Sequence, residues 1–140
     1  MLVASISSAQ VIEAPVGNES NVNETYSEIS EEVKVKTTEE IVDEHFADTP
    51  ILKKIASCES FNRQFDENGK VLRGHLNSQD IGYMQINEKY HLSTALKLGL
   101  DIYSLEGNLD YAKHLYKTQG VKPWIYSSHC WDKSNEFALR

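Results

Sequence analysis

The chain has 140 residues, 40% of them hydrophobic and 25% charged, which suits about one globular domain with a modest core. Its formal charge of −7 is uneven, since residues 1–50 hold 11 acidic and 2 basic side chains and residues 51–140 hold 10 acidic and 12 basic ones. With no Lys/Arg stripe to neutralise phosphates, the composition argues against nucleic acid as a partner, and no apolar run is long enough to span a bilayer.

Residues 1–10, Met1-Leu2-Val3-Ala4-Ser5-Ile6-Ser7-Ser8-Ala9-Gln10, resemble the last part of a secretory signal with small residues before a cut after Ala9. The basic leader and longer apolar core of a complete signal are not in this stretch, so an ordinary terminus is the alternative. Membrane association is expected only through a further N-terminal segment. Residues 11–48 are rich in Glu, Asn, Ser, Thr and Val without a sustained period, and are expected to form an acidic disordered linker with a helical turn at Glu39 to Phe46; extra helices packed on the domain are the alternative.

A folded domain is expected over 49–131. Thr49-Pro50 is a helix-start signal, and Ile51, Ile55 and Cys58 then share one face while Leu52, Ala56 and Glu59 share the adjoining one. Glu59 therefore closes a buried helix. The negative end of the helix dipole and partial burial both disfavour its charged form, which moves it toward the range of a general acid; the plainer reading is a surface Glu near a helix end.

Asn68-Gly69 and Arg73-Gly74 flank Lys70-Val71-Leu72, so residues 65–76 read as a loop or short hairpin, and Asn77 to Gly82 as a further turn-prone stretch. Tyr83, Met84 and Ile86 follow around the polar Gln85 and Asn87. Those amides are suited either to sugar hydroxyls and N-acetyl groups or to backbone groups of a tight turn. A short helix is predicted over Ser93 to Leu98, closed by Gly99, and a longer one over Leu105 to Gln119, stopped by Gly120. Leu109, Ala112 and Leu115 belong to the core side of the longer helix, and Asn108 and Tyr111 lie on or beside that stripe. Pro123 to Trp131 is aromatic and short, and 132–140 reads as a C-terminal tail.

Cys58 and Cys130 are the only cysteines. A disulfide between them would stabilise a small domain by a few kcal/mol and would suit an oxidising, extracytoplasmic location, secreted, periplasmic or wall-associated. Two unrelated buried thiols are the rival reading. The ligand spacing of a zinc site is not found among these cysteines and His75, His91 or His129, so neither a metal nor another cofactor is expected.

Ala56-Ser57-Cys58-Glu59-Ser60-Phe61-Asn62, followed by Asp80-Ile81-Gly82-Tyr83-Met84-Gln85-Ile86-Asn87, resembles the lysozyme superfamily, in particular the soluble lytic transglycosylase domain. In that family an E-S pair ends a core helix and a G-x-x-Q-(I/V/M)-(N/M) segment forms the opposite wall of the cleft. The Asn108-Leu109-x-x-Ala112 helix, Leu115-Tyr116 and the Gly120 to Trp124 turn are similar to the later part of such domains, so the resemblance covers about Pro50 to Trp131.

The resemblance implies a mainly α, α+β lysozyme-like fold, with a loop or β-hairpin as one wall of a substrate cleft. It implies a monomeric enzyme in which Glu59 is the catalytic acid/base on the β-1,4 bond between N-acetylmuramic acid and N-acetylglucosamine of peptidoglycan strands. Asp80 matches the Asp of the lysozyme pattern D-x-G-x-x-Q-I-N, which would make it a second catalytic carboxylate in a hydrolase; transglycosylases usually lack it, and an Asx-turn role is equally open. Gln85, Asn87, Asn108, Tyr111 and Trp124 are the candidate substrate contacts. A lytic transglycosylase is the favoured reading. The alternatives are a lysozyme-type muramidase, a glycan-binding module without turnover, and an enzyme acting on chitin.

Overall fold

The computed structural model describes residues 34–133. The signal-like segment 1–10, residues 11–33 of the expected linker and residues 134–140 of the tail lie outside the described residues. What is described is mainly helical, with one small antiparallel sheet.

The first helix, α1 (Thr38–His45), falls inside the stretch expected to be linker. Its start is fixed by a capping box: Thr37 Oγ1 accepts from the Glu40 backbone N–H at 3.2 Å, and Glu40 Oε2 accepts from the Thr37 N–H at 2.8 Å. Val42 and Phe46 reach the core, α1 packs on α4 (Leu105–Gln119), and Lys113 of α4 donates to the His45 carbonyl and to Asp48, both at 2.9 Å. The acidic residues mark only the solvent side of α1, so composition hid a helix with two core anchors. The folded part therefore starts before Thr49.

Helix α2 (Pro50–Glu59) begins at the proline as expected, although the Thr49 hydroxyl turns toward Asp48 Oδ1 at 3.4 Å and leaves the cap unmade. Leu52, Ile55 and Ala56 are fully buried, and Glu59 ends the helix. Residues 65–73 form a loop tightened by Asp66, whose Oδ1 accepts from the backbone N–H groups of Asn68 and Lys70 at 2.8 and 2.9 Å, with an isolated bridge between Phe65 and Val71.

Strands β1 (Asp80–Ile81) and β2 (Ile86–Asn87) pair antiparallel, Asp80 opposite Asn87 and Ile81 opposite Ile86. The sheet agrees with the mainly α fold carrying a short β-hairpin region, and places its strands at the edges of the turn-prone stretch. Helix α3 (Glu88–Lys97) follows directly and starts five residues before Ser93; its first turn has Lys89 and Tyr90 exposed and Glu88 bonded to Arg73 and Tyr103. Its expected stop holds: Gly99 has φ +72°. The predicted bounds of α4 also hold, and Gly120 follows it with φ +64°. A 3-10 segment (Lys122–Ser127) and a one-turn helix α5 (Ser128–Trp131) then lie against α2.

The Cys58–Cys130 disulfide is formed, with an S–S distance of 2.01 Å across 72 residues of chain. It joins the last turn of α2 to α5. Among the described residues no helix is long and apolar enough to cross a membrane.

Candidate active site

The turn between β1 and β2 is held by side chains rather than by a wide ladder. Gln64 Oε1 accepts from the Tyr83 N–H at 2.7 Å, and Asn108 Oδ1 accepts from the Met84 N–H at 2.9 Å. Ser60 Oγ donates to the Tyr83 carbonyl at 2.7 Å, and the Trp124 indole N–H donates to the Met84 carbonyl at 2.9 Å. All four side chains are buried, so each bond forms out of competition with water. Gly82 makes this grip feasible. Its φ is +72°, and a Cβ there would stand 2.6 Å from both Gln64 Oε1 and Asn108 Nδ2.

Asn108 is thereby corrected as a substrate contact. It is fully buried, and its Nδ2 donates to the carbonyls of Ile81 and Ile102 at 3.2 and 2.9 Å, so its hydrogen bonds are spent on the core. Tyr111 is also corrected, since only 1% of it is exposed; its hydroxyl lies 3.1 Å from His91 Nδ1, behind the surface rather than on it.

The remaining candidates surround one cleft of about 440 Å³. Glu59, at the end of α2, lines it together with Asp80, Gln85, Ile86 and Asn87 of the strand-turn-strand unit. Leu115, Gln119, Pro123 and Trp124 come from α4 and the 3-10 segment, and Tyr90, His91 and Tyr126 complete the lining. Glu59 and Gln85 thus line the same cleft. Trp124 contributes a mostly covered ring whose indole N–H is already committed to Met84.

Glu59 is half-buried, and its carboxyl is raised above the ordinary glutamate range. Burial is the main cause and the negative charge of Asp80 adds to it, while a hydrogen bond from Ser127 acts in the opposite sense. No basic residue lies in the last turn of α2 to offset the negative end of the helix dipole. A carboxyl raised in this way keeps its proton to higher pH than an ordinary glutamate, the direction that a general acid needs.

The Asn87 amide donates to Asp80 Oδ1 at 2.6 Å, while Asn87 Oδ1 is closed off from solvent with no donor among the described residues. An unpaired buried acceptor is destabilising until a donor reaches it. Gln85 adopts φ +49° and returns its Nε2 to the Gly82 carbonyl at 2.9 Å, closing the turn that carries it. His91 is pushed below the usual histidine range, by burial first and by the nearby His114 second. Burial thus disfavours the charged imidazole at this wall.

Ser127, Tyr90, His91 and Tyr126 escaped the sequence reading. The Tyr126-Ser127 pair sits in the aromatic segment 123–131, which was a usable signal, whereas Tyr90 and His91 reach the cleft only through the position of α3. Among the described residues no group of three or more His, Cys, Asp or Glu side chains is arranged to hold a metal.

No protein-family model matches the chain, and neither a curated protein nor a solved structure matches it. The site is defined by its own geometry: a mainly helical domain with a cleft lined by one half-buried carboxyl of raised pKa and by an amide-bearing turn.

Proposed function

We propose that the protein is a lytic transglycosylase of lysozyme-like fold that cleaves the β-1,4 bond between N-acetylmuramic acid and N-acetylglucosamine in peptidoglycan. The observation that carries this reading is the half-buried Glu59, raised by burial, at the wall of an open cleft faced by Gln85 and Asn87. The E-S and G-x-x-Q-I-N resemblance supports the substrate class. Protonated Glu59 gives its proton to the leaving glycosidic oxygen as positive charge grows on the muramyl ring. The resulting carboxylate then takes the proton of the muramyl 6-hydroxyl, whose oxygen closes on the anomeric carbon. The products are a 1,6-anhydro end and a free N-acetylglucosamine hydroxyl, and no water is consumed. Gln85 and Asn87 put amide-bearing side chains on the lining of the same cleft, a residue type suited to sugar hydroxyls and N-acetyl groups.

One observation favours hydrolysis as a second reading. Asp80 lines the same cleft and its charge is felt by Glu59, which is the pairing of two carboxylates that a muramidase needs. The Cys58–Cys130 bridge supports an extracytoplasmic location for either enzyme.

Mass spectrometry of products released from purified peptidoglycan by the full chain, with Glu59→Gln as control, tests the proposal. Anhydromuramyl ends, lighter by one water, are expected and should vanish in the control. Reducing muramic acid ends would replace it with the hydrolase reading. No product from folded protein would leave a glycan-binding module, and turnover by Glu59→Gln near the wild-type rate would remove Glu59 from catalysis.

A further inference from the structure

The two oxygens of the Glu59 carboxyl are held differently. Oε1 accepts from Ser127 Oγ at 2.5 Å, across 68 residues of chain. Oε2 has no hydrogen-bond partner among the described residues, and it is not closed off from solvent. An acid that must protonate a bond in one direction gains from such asymmetry, because an unrestrained carboxyl can present either oxygen or rotate away.

Ser127 itself is oriented from behind. Its hydroxyl has one proton and two acceptors in reach, Glu59 Oε1 at 2.5 Å and the Trp124 carbonyl at 3.0 Å. The shorter contact, to a group that becomes charged, is the stronger of the two. The Trp131 indole N–H, a donor only, stands 3.0 Å from Ser127 Oγ and 3.2 Å from the Trp124 carbonyl. It occupies Ser127 as an acceptor, so the serine proton must point elsewhere. Trp131 is 7% exposed, which keeps water from competing for these bonds.

We infer that Ser127 is a positioning residue of this cleft: aimed by Trp131, its hydroxyl pins Oε1 of Glu59 so that Oε2 is the oxygen that carries the proton to the scissile bond. The inference rests on the reading of Glu59 as the acid/base. The covalent frame fits the role, since Cys58 precedes Glu59 and Cys130 precedes Trp131, so the disulfide joins the immediate neighbours of both ends of the relay. A donor that prefers the ionised carboxyl also restrains how far burial raises Glu59, in keeping with the opposing effect of Ser127 on that group.

The test compares wild type, Ser127→Ala, Ser127→Thr and Trp131→Phe in the full chain, each first checked for a cooperative melt. Carbon-13 NMR titration of the Glu59 carboxyl reads the contact with no substrate present. The pH profile of kcat/KM on peptidoglycan reads its use. In Ser127→Ala the Glu59 titration and the alkaline limb of the profile should both move to higher pH. In the same variant kcat should fall about tenfold or more with KM little changed, which is the pattern of lost positioning rather than lost binding. Ser127→Thr should restore both readouts, and Trp131→Phe should shift them in the same direction by less. A Glu59 titration and a kcat in Ser127→Ala that match wild type would overturn the inference. If the titration moves but no variant, wild type included, releases product, the contact stands and the enzymatic reading is what fails.

Discussion

Asp80 and Asn87 face each other across the strand pair, and the Asn87 amide donates to Asp80 Oδ1 at 2.6 Å. Asp80 therefore has two attachments to the cleft: it orders the amide that lines the wall, and its charge helps keep a proton on Glu59. Neither requires contact with the sugar. Asp80→Asn keeps an acceptor oxygen while removing the charge, so under the transglycosylase reading anhydromuramyl products should persist at a rate within about tenfold of wild type. Losing that charge should also move the alkaline limb of the pH profile to lower pH. A loss of about a hundredfold or more, with reducing ends as the residual product, would give Asp80 a direct stabilising role on the charged sugar.

Glu59 also makes a prediction that needs no substrate. A carboxyl whose pKa is raised on folding is harder to ionise in the native state than in the unfolded chain, so its ionisation lowers stability. That cost is absent in acid, below the unfolded pKa, and fully present above the folded one. Glu59→Gln, which can still accept from Ser127, should therefore melt higher than wild type at pH 8 and close to it at pH 4. Equal melting temperatures at both pH values would mean that burial does not perturb this group.

Gly82 is the position where the cleft and the core meet. An added Cβ would press on the Gln64 and Asn108 amides at 2.6 Å, and the φ of +72° is strained for any other L residue. Gly82→Ala should destabilise the fold by roughly 2–5 kcal/mol, the cost of strain plus disturbed buried hydrogen bonds. Denaturant unfolding checks this, and a change under about 0.5 kcal/mol, the usual range for surface substitutions, would show that the turn has room to move.

Much of this arrangement was legible in the sequence where one residue dominates locally. Pro50 and Gly120 mark the start of α2 and the end of α4, and apolar spacing put Glu59 at the close of a buried helix. Strands of two residues are too short to show an alternating pattern, so the bounds of β1 and β2 cannot be read from the sequence. Asn108 lies on the buried stripe, where an amide needs partners; these are backbone groups of the β1–β2 unit and of Ile102, and only the tertiary fold brings the former to it. Gln64, in a polar stretch after α2, gave no sign of being buried. Ser127 became visible as a site residue only once the disulfide and the 3-10 segment placed it against Glu59.

Tyr90 and Tyr126 stand at the cleft with 71% and 95% of their surface exposed. Side chains so exposed contribute little to the core, while their flat faces suit pyranose rings entering the groove. Tyr90→Ala and Tyr126→Ala should each raise KM about three- to tenfold, the equivalent of roughly 0.7–1.4 kcal/mol of lost stacking, with kcat and melting temperature little changed. An unchanged KM for both would move the glycan path away from this edge.

The disulfide makes the last prediction, because its two roles separate experimentally. Closing 72 residues of chain, it should contribute roughly 2–4 kcal/mol to stability, and Cys130 is exposed enough for a reductant to reach. The Cys58→Ser, Cys130→Ser double variant should therefore melt well below wild type. It should also lose activity at temperatures where it is still folded, since α5 carries Trp131 and is tied to α2 beside Glu59. Activity measured well below the variant's own melting point distinguishes the two. Full turnover there would make the bridge a staple for the fold alone, whereas a lowered kcat with unchanged far-ultraviolet circular dichroism would show that the bridge also holds the relay against the acid.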